Sequence, residues 1–491
     1  MNEKYGPVAE ADVAQWHRSA DVVVVGLGAA GACAALEAAN VGADVLALER
    51  ASGGGGASAL SEGIFYLGGG TAVQQACGFH DDPDSMFRFL RASMSTDDEK
   101  LRAFCDGGVE HHGWLESHGV PFERRALKSK AVASHTGEGL LTTGNEYAYP
   151  FRDLVPPVPR GHQTTASEDD HGGAVAMRAL LTAVERSSVR VAYDARVDAL
   201  VIDSHGRVCG VQVRIDGQDQ YVQAIRGVII ATGSFNCNES MTTHYLPLVS
   251  KVATPLGTPA NDGAGIQLGL SVGATTENMS GALVTSSIYP PDQLIKGIVV
   301  NREGQRFTAE DVYHGRLGNC IEQQPDQVAY LILDEKTFAY PTSGRHPLVG
   351  VWETIVEAEE VLGLPRGALE ETLNEYNSDV EFGEDRQFHK HQDWLQPLVP
   401  PFAAFDISFR NSGYNFIGLG GLRSNEYGQA LVDSGEPLPG LYAVGACAAH
   451  LSANGAEYGS GLSLGPGSFF GRRAGRHAAE SRQAGSDATV R

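Results

Sequence analysis

The sequence is poor in basic residues and has no long apolar run. Its 491 residues include 37 Lys and Arg against 60 Asp and Glu, which gives a formal net charge of −23. Nucleic-acid binding needs clustered Lys and Arg, so this balance argues against a nucleic-acid partner. No stretch approaches the roughly 18 to 20 continuous apolar residues of a membrane span, and we expect no transmembrane segment.

Cysteine pairs are also missing. The odd number of cysteines and the absence of a CxxC pair predict reduced, mostly buried thiols and neither a redox pair nor a cluster site. The first twenty residues carry several acids and no apolar core, unlike a secretory signal, so we expect a cytoplasmic protein. The seven cysteines are Cys33, Cys77, Cys105, Cys209, Cys237, Cys320 and Cys447.

The chain is longer than a single hydrophobic core normally supports. A length of 491 residues with 42% hydrophobic and 20% charged residues predicts a soluble globule of two or more packed units.

A nucleotide-binding pattern stands near the front, between Asp21 and Arg50. Four valines precede Gly26, Gly28 and Gly31, and a small-residue helix and the strand VLALE follow. The first glycine permits a tight turn, the second lets the backbone approach a pyrophosphate, and the third lets the helix pack on the sheet. Glu49 is placed to accept hydrogen bonds from a ribose diol. This order of strand, turn, helix and acid predicts dinucleotide binding.

NAD enzymes share this unit, and three later features favour FAD. The loop Gly53 to Gly63 follows the acid directly and carries small and hydroxyl residues, although a flexible surface loop is the alternative. Val189 to Ile215 reads as alternating strands, and the buried strand after it ends at Ala231, Thr232 and Gly233. Leu438 to Ala449 is another strand that ends in glycine.

These residues together resemble FAD flavoproteins of the succinate dehydrogenase and fumarate reductase type, over most of the chain. The pairing of VNREGQRFTAEDVY, Val300 to Tyr313, with the late EYGSGLS motif most resembles the bacterial 3-ketosteroid dehydrogenases, specifically the Δ4-(5α) group. The resemblance implies an α/β fold. A Rossmann-like FAD-binding domain is built from both chain ends, residues 1–276 and 413–491, and an inserted α+β catalytic domain spans residues 277–412.

The same resemblance implies the cofactor and its ligands. FAD is expected to bind noncovalently, because the loop Gly53 to Gly63 lacks the histidine that links flavin in some relatives. No second strand-GxGxxG-helix unit is present, so electrons must pass to a separate acceptor. Related proteins often carry a glycine followed by an acidic residue near the last strand. In this sequence the pair is Gly445-Ala446, so the acidic residue is replaced by alanine. The predicted cofactor-binding residues are Gly26, Gly28, Ala29, Ala30, Gly31, Glu49, Arg50, Ser58, Ala59, Ser61, Gly63, Val197, Ala231, Thr232, Gly233, Gly445, Ser463 and Leu464.

The late glycine-rich motif carries the predicted chemistry. Removing a proton beside a ketone needs donors for the developing oxyanion and a base for the proton. Tyr458 supplies a neutral donor, and backbone N–H groups at Gly461 and Leu462 are predicted to be free as the second donor. A helix starting at Ser463 and Leu464 would point its N–H groups at the flavin.

The resemblance places two further hydroxyls, those of Ser460 and Tyr313, beside the substrate. A serine hydroxyl is a poor base alone, so we predict that Ser460 takes the C4 proton and Tyr313 relays it. Tyr313 as the direct base is the alternative. Arg306 is interpreted as a structural salt-bridge residue rather than a proton donor.

The leading hypothesis is an FAD-dependent 3-keto-5α-steroid Δ4-dehydrogenase of steroid catabolism, with hydride leaving C5 for flavin N5 and a proton leaving C4. Δ1-dehydrogenation is the nearest alternative. Fumarate reduction needs Arg and His clamps, and the family's His-Pro-Thr element has no match because leucine follows His346-Pro347. A non-enzymatic flavoprotein sensor is the alternative from another class.

We assign no metal site. His111 and His112 are adjacent and cannot share one helix face, so we interpret these two and His118 as solvated or capping residues. The acidic run Glu168 to Asp170 is predicted to complement the dipole of a helix that begins near Gly173.

Overall fold

Strands from both ends of the chain share one sheet in the computed structural model, which describes residues 5–165 and 171–481. In this nine-stranded sheet the order is β1-β8-β9-β10-β2-β3-β7, with β21 also paired to β10 and β20 paired to β21. Its strands are β1 Val8–Ala9, β2 Arg18–Val25, β3 Val45–Leu48, β7 Arg190–Ala192, β8 Arg196–Ile202, β9 Val208–Ile215, β10 Gln218–Ile230, β20 Gln429–Leu431 and β21 Pro437–Ala443.

The valine run predicted as a strand lies at the centre of this sheet. Residues 22–25 of β2 are all buried, as expected for a parallel strand that is covered on both faces. Val25 is paired with Leu48 on one side and with Ile230 on the other, so the carboxyl ends of β2, β3 and β10 meet at one edge. Ligands of open α/β sheets bind at this edge.

Four smaller sheets complete the strand arrangement. Their orders are β14-β15-β17-β16, β11-β18-β13, β12-β19 and β4-β6-β5. Their strands are β4 Ile64–Tyr66, β5 Leu140–Leu141, β6 Gly161–Gln163, β11 Ala253–Pro255, β12 Thr276–Glu277, β13 Ala282–Thr285, β14 Ile298–Asn301, β15 Ala329–Asp334, β16 Leu348–Trp352, β17 Phe402–Asp406, β18 Tyr414–Gly418 and β19 Gly421–Leu422.

The helices fill the connections between these strands. The described residues contain α1 Ala29–Asn40, α2 Gly56–Ala59, α3 Ala72–Ala76, α4 Pro83–Ser93, α5 Asp98–Ser117, α6 Phe151–Leu154, α7 Gly172–Arg186, α8 Glu239–Tyr245, α9 Val249–Val252, α10 Ala264–Ser271, α11 His314–Glu322, α12 Ile355–Leu362, α13 Ala368–Phe382 and α14 Leu464–Glu480. Between residues 5 and 481, leaving out 166–170, none of these helices has the length and apolarity needed to cross a bilayer.

The first and last helices pack against each other without side chains between their backbones. A Cβ on Gly471 of α14 would lie 2.3 Å from the Ala30 carbonyl oxygen, and one on Gly475 would lie 2.2 Å from that of Ala34. Real Cβ atoms do not approach oxygen so closely, so both positions need glycine for this packing. The close contact fixes the start of α14 beside the start of α1.

Several local predictions are confirmed and two are wrong. The helix predicted from Gly173 is α7, whereas the acidic run Glu168 to Asp170 lies outside the described residues. His111 and His112 are buried rather than solvated, because His111 packs against Phe469 of α14 and His112 against Phe122. His118 caps the end of α5.

All seven cysteines are free thiols, but fewer are buried than predicted. Cys33, Cys105 and Cys447 are buried, whereas Cys237 is exposed. Burial follows the tertiary position of each residue and cannot be inferred from the number of cysteines alone.

A buried ion network joins the segment that follows β14 to the segment that follows α13. Arg306 contacts Glu310 at 3.0 Å and Asp385 at 2.9 Å, and Lys390 contacts Glu310 at 3.1 Å. All four side chains are almost fully excluded from solvent. Burial acts to raise the pKa of Glu310, but the charges of Arg306 and Lys390 outweigh it and the pKa is lowered. Arg306 therefore has the structural role that the sequence predicted.

Replacing Arg306 with methionine should lower the free energy of unfolding by about 3–5 kcal/mol, because two buried carboxylates lose a partner. Urea unfolding followed by tryptophan fluorescence measures this change. Arg302→Met is the matched control, since Arg302 is half-exposed and pairs with the exposed Asp326. The control should cost less than about 1 kcal/mol. Equal losses in the two variants would contradict the structural role of the network.

Candidate functional site

A cavity of about 680 Å³ opens at the edge where the parallel strands of the large sheet end. One end is lined by the turn after β2 and by Glu49, which follows β3, and the other end by Tyr313, Tyr458 and Ser460. Elements from both chain ends and from the middle of the chain therefore share one continuous space.

The glycine turn after β2 packs closely against the neighbouring backbone. Gly26 has φ of +98°, and a Cβ there would lie 2.6 Å from the Ala231 carbonyl oxygen. A Cβ on Gly31 would lie 2.0 Å from the Gly26 carbonyl oxygen. At Gly28 the added Cβ would meet only Ser58 Oγ, at 3.4 Å, and Gly55 O, at 3.7 Å. The turn is therefore tight on the sheet side and roomy at Gly28, where the cavity begins.

Helix α1 begins at Ala29 and faces the same space. Its residues Ala29 and Ala30 line the cavity. The first N–H groups of a helix have no partner within the helix, and the helix dipole favours negative charge there. Ala29 N–H donates to Ser58 Oγ at 3.2 Å, which ties the serine of the following loop to the helix start. This arrangement suits a phosphate or pyrophosphate group.

Glu49 is held by the backbone on both sides. Its Oε2 accepts from Leu27 N–H at 2.8 Å and its Oε1 from Ala51 N–H at 2.9 Å. A carboxylate has about four acceptor sites, so two remain for hydroxyl groups in the cavity. The adjacent Arg50 is bonded to Asp262 at 2.9 Å and lines the same end.

The cavity brings together most of the residues that the sequence predicted. Gly31, Ala59, Gly63 and Leu462 do not line it. Gly63 is required for packing instead, since its Cβ would lie 2.2 Å from Thr164 Oγ1. The predicted residues that line the cavity are Gly26, Gly28, Ala29, Ala30, Glu49, Arg50, Ser58, Ser61, Val197, Ala231, Thr232, Gly233, Tyr313, Gly445, Tyr458, Ser460, Gly461, Ser463 and Leu464.

Two hydroxyl pairs form the wall opposite Glu49. Tyr313 Oη lies 2.9 Å from Ser460 Oγ, and Tyr458 Oη lies 2.8 Å from Ser463 Oγ. The two tyrosine rings are 6.5 Å apart between centroids. The residue before α11 and the glycine-rich loop thus contribute four neighbouring hydroxyl groups to the cavity wall.

The glycine-rich loop is held from the other side by two distant segments. Ser460 N–H donates to the Thr143 carbonyl at 2.8 Å, and Gly461 O accepts from Tyr66 N–H at 3.1 Å. Gly461 has φ of +97°, and a Cβ there would lie 2.5 Å from Tyr66 N. Asn145 Oδ1 accepts from Tyr313 N–H at 3.0 Å, so residues 143–145 hold both segments that carry the hydroxyl groups. No pattern within residues 125–165 indicated this role.

The predicted pair of backbone donors is only half present. Leu462 N–H donates to the Gly459 carbonyl at 3.1 Å, so the prediction that it is free is wrong. The loop turns back on itself there, and this turn uses the donor. Within residues 5–165 and 171–481, Gly461 N–H has no acceptor and lies in the cavity wall.

Burial keeps both tyrosines neutral. It raises the pKa of Tyr458, although a hydrogen bond with Ser463 acts in the opposite direction. Burial, reinforced by the neighbouring Tyr458, raises the pKa of Tyr313 well above its usual range. Both phenols are therefore hydrogen-bond donors at neutral pH. Helix α14 starts directly after this wall, at Leu464, as the sequence predicted.

Much of the cavity lining is apolar. Ile64, Val132, Leu283 and Ile417 are among the lining residues. Such a surface accommodates a bulky hydrocarbon body, with polar groups at its end fixing the orientation.

Sequence reasoning missed several polar lining residues. His314, Thr285, Asn236, Asn261 and Asp262 all line the cavity. Asn236 follows the end of β10 by a few residues, and His314 follows Tyr313 directly. Their closeness in sequence to segments already predicted to line the site could have identified these two residues.

The chemistry of the lining fits FAD. The cradle at Gly28 and the start of α1 suit a pyrophosphate, Glu49 suits a ribose, and the start of α14 suits the electron-rich end of a flavin. In the described part of the chain, no group of three or more His, Cys, Asp or Glu side chains is arranged to hold a metal ion.

Comparisons with known proteins agree with this geometry. The family model of the FAD binding domain matches residues 21–464. One similar crystal structure is that of 3-ketosteroid Δ4-(5α)-dehydrogenase from Rhodococcus jostii RHA1 in complex with 4-androstene-3,17-dione, whose sequence is 40% identical to this chain. It superposes with a TM-score of 0.91 over 97% of this chain and 100% of that one.

Two further relatives are more distant. The 3-oxo-5-alpha-steroid 4-dehydrogenase of Comamonas testosteroni is 29% identical, over 89% of this chain and 94% of its own. The 3-ketosteroid Δ1-dehydrogenase of Sterolibacterium denitrificans is 21% identical with a TM-score of 0.71, over 95% of this chain and 100% of that one. This last likeness concerns the fold alone.

The family match covers most of the chain, and the Rhodococcus relative is matched over its whole length. The chain therefore belongs to the FAD binding domain family of flavoprotein oxidoreductases, with the 3-ketosteroid Δ4-(5α)-dehydrogenases among its relatives.

Proposed function

We propose that the protein is an FAD-dependent dehydrogenase that introduces the C4–C5 double bond into 3-keto-5α-steroids. The observation that carries this proposal is the wall of neutral hydroxyls formed by Tyr458, Ser460 and Tyr313 at the end of an apolar cavity. Two relatives named for this reaction, in Rhodococcus and Comamonas, support the choice of substrate.

The cofactor end is assigned to FAD held without a covalent bond. We propose that the start of α1 and Gly28 hold the pyrophosphate, Glu49 the ribose, and the Ser463–Leu464 helix start the pyrimidine end of the flavin. When bound, FAD supplies at N5 the acceptor for the hydride that leaves C5. The remaining predicted ligands that line the cavity surround the same cofactor.

The division into domains is part of the proposal. An FAD-binding domain of residues 1–276 and 413–491 would enclose an inserted catalytic domain of residues 277–412. The sheet β14-β15-β17-β16 falls within the inserted part and the nine-stranded sheet within the other two, which supports a division into two units. The boundary at residues 276 and 277 falls inside β12, and β13 of the inserted part pairs with β18 of the other part. We further propose a separate electron acceptor and a cytoplasmic location.

Tyr458 and Gly461 are proposed to bind the C3 ketone. Tyr458 Oη donates to the ketone oxygen while accepting from Ser463 Oγ, 2.8 Å away, which keeps the phenol oriented. Gly461 N–H is the second donor. As a C4 proton leaves, negative charge grows on this oxygen, and both donors interact more strongly with it than with the neutral ketone.

Ser460 is proposed to take the C4 proton. Serine is too weak a base by itself, but Ser460 Oγ can pass its own proton to Tyr313 Oη, which lies 2.9 Å away. Tyr313 as the direct base is the alternative within the same pair. Asn145 and the Thr143 carbonyl hold the two residues in register through the backbone.

Reduction of a dicarboxylate fits this wall poorly. Arg50 and Arg196 are the arginines among the described lining residues, and both belong to the cofactor end near Glu49. His346 is bonded to Ser412 and to the Ser287 carbonyl, each at 3.1 Å, and does not line the cavity. An apolar body with a single ketone suits the lining better than two carboxylates.

Anaerobic mixing with steroids tests the function. Saturated 5α-3-ketosteroids should bleach the flavin absorbance, whereas their 3-hydroxy analogues should not, because only the ketone acidifies the neighbouring C–H bond. Proton NMR and mass spectrometry should identify the product as the Δ4-3-ketone. A product with a C1–C2 double bond would instead indicate a Δ1-dehydrogenase. A flavin that no steroid reduces would favour the alternative of a non-enzymatic flavoprotein sensor.

The purified protein should be yellow, and acid or heat should release unmodified FAD. Gly28→Val should yield protein without FAD, since its side chain extends into the cradle while its backbone angle permits valine. Gly53→Val is the matched control, because a Cβ at Gly53 meets nothing within 4 Å. Chromatography of the released flavin measures both. Stoichiometric FAD in Gly28→Val, or flavin that stays attached after denaturation, would contradict the assignment.

Tyr458→Phe should keep FAD but slow flavin reduction by about 10²-fold or more at saturating steroid, because one oxyanion donor is lost. Stopped-flow absorbance measures the rate. Tyr442→Phe is the control, since this buried tyrosine bonds His477 at 2.8 Å outside the cavity. A near-normal rate of flavin reduction in Tyr458→Phe would contradict the donor role of Tyr458 and would indicate that the glycine-rich loop serves only packing.

A further inference from the structure

The proton relay needs an exit beyond Tyr313. If Ser460 passes its proton to Tyr313, as the proposed function holds, the tyrosine must release its own proton or become charged. Tyr313 is buried, and its pKa lies well above the usual range, so a charged form is disfavoured on this path. Among the described residues, Ser460 is the hydrogen-bond partner of Tyr313 Oη, and a second acceptor is therefore required.

His314 lies next to Tyr313 in the cavity wall. The two rings lie 4.0 Å apart between centroids, tilted by 42°. His314 is 5% exposed and lines the cavity, yet its Nε2 has no hydrogen-bond partner among the described residues. A buried polar atom without a partner is uncommon and calls for a ligand, an ion or an ordered water.

The rest of the ring is fixed in place. Nδ1 is hydrogen-bonded to Thr285 Oγ1 of β13, and the backbone N–H donates to Tyr289 Oη at 3.2 Å. If Nδ1 carries the ring hydrogen and donates it to Thr285, Nε2 is left as an acceptor on a ring that lines the cavity. The ring cannot turn away without breaking the contact with Thr285.

The surroundings keep this imidazole neutral. Burial, assisted by the positive charge of Lys130, lowers the pKa of His314 to about 3. Lys130 is bonded to the carbonyl oxygens of Asp311 and Val312, the two residues before Tyr313. The histidine can therefore orient a water molecule without retaining a proton.

We propose that His314 is the positioning residue of the proton exit: its Nε2 holds a water molecule that accepts the proton released by Tyr313. As the C4–H bond breaks, its electron pair stays on the steroid and its proton goes to Ser460 Oγ. The Ser460 proton moves to Tyr313 Oη, the Tyr313 proton moves to the water, and that water passes a proton to solvent. Ser460, Tyr313 and His314 all end neutral.

The test compares His314→Gln, His314→Asn and His314→Leu by anaerobic stopped-flow in H₂O and D₂O. Glutamine can place an amide near the position of Nε2, whereas asparagine can reach only that of Nδ1. We expect His314→Gln to reduce its flavin within about 10-fold of the parent rate. His314→Asn and His314→Leu should be about 10²-fold slower, with a larger solvent isotope effect, because general acid–base steps contribute roughly this much.

Two further measurements separate proton exit from a packing role. Exogenous imidazole should restore part of the rate in His314→Ala, since it can occupy the vacated space and hold the water. Combining His314→Leu with Tyr313→Phe should slow reduction no more than Tyr313→Phe alone, because both act on one path.

His112→Leu is the matched control. This imidazole is also buried, its Nε2 is likewise without a partner among the described residues, and burial lowers its pKa to about 4. It packs against Phe122 and His162 and does not line the cavity. Its replacement should leave the rate and the solvent isotope effect of flavin reduction at the parent values.

The outcomes distinguish this inference from the proposed function. If the parent flavin is not reduced by 3-keto-5α-steroids, the proposed function fails. If the parent is active and His314→Asn keeps its rate and isotope effect, the exit role alone is overturned. A weaker steroid affinity in the variants with an unchanged isotope effect would make His314 a substrate contact and would also overturn it. If His314→Leu does not load FAD, the Gln and Asn pair decides the question.

Discussion

The contact between α1 and α14 is the constraint on which the whole cavity depends. Gly471 and Gly475 let the last helix lie directly against the backbone of the first, with room for no additional atom. The start of α1 faces the proposed pyrophosphate position, and the start of α14 follows the hydroxyl wall. A wider helix spacing would separate the cofactor end from the loop that carries Tyr458 and Ser460.

A second constraint acts on the glycine-rich loop from the opposite side. Tyr66 and Thr143 hold Gly461 and Ser460 through backbone hydrogen bonds, and Asn145 holds Tyr313. The hydroxyl groups therefore do not depend on a flexible loop for their positions. Backbone bonds from segments that are distant in sequence convert a run of glycines into a defined surface, which oriented donors require.

Burial reinforces the neutral forms of the ionisable side chains on this surface. It raises the pKa of both Tyr313 and Tyr458 and lowers that of His314. All three side chains are therefore neutral near pH 7, so the proposed proton transfer would use groups that themselves carry no charge. Such a surface is compatible with an apolar steroid, whereas isolated charges in the same wall would have to be desolvated by it.

The sequence by itself determined the local units of this protein. The valine run, Gly26, Gly28 and the helix after them form the cradle because an apolar strand, a turn that needs glycine and a small-residue helix are each specified by neighbouring residues. Glu49 and the helix start at Leu464 were predictable for the same reason. Tertiary structure alone decided that His111 and His112 are buried, that Leu462 N–H is already bonded, and that residues 143–145 position the hydroxyl wall. It also decided that His314 lines the cavity and that its Nε2 has no hydrogen-bond partner among the described residues. These properties depend on contacts between residues far apart in the chain, and no spacing within a short segment encodes them.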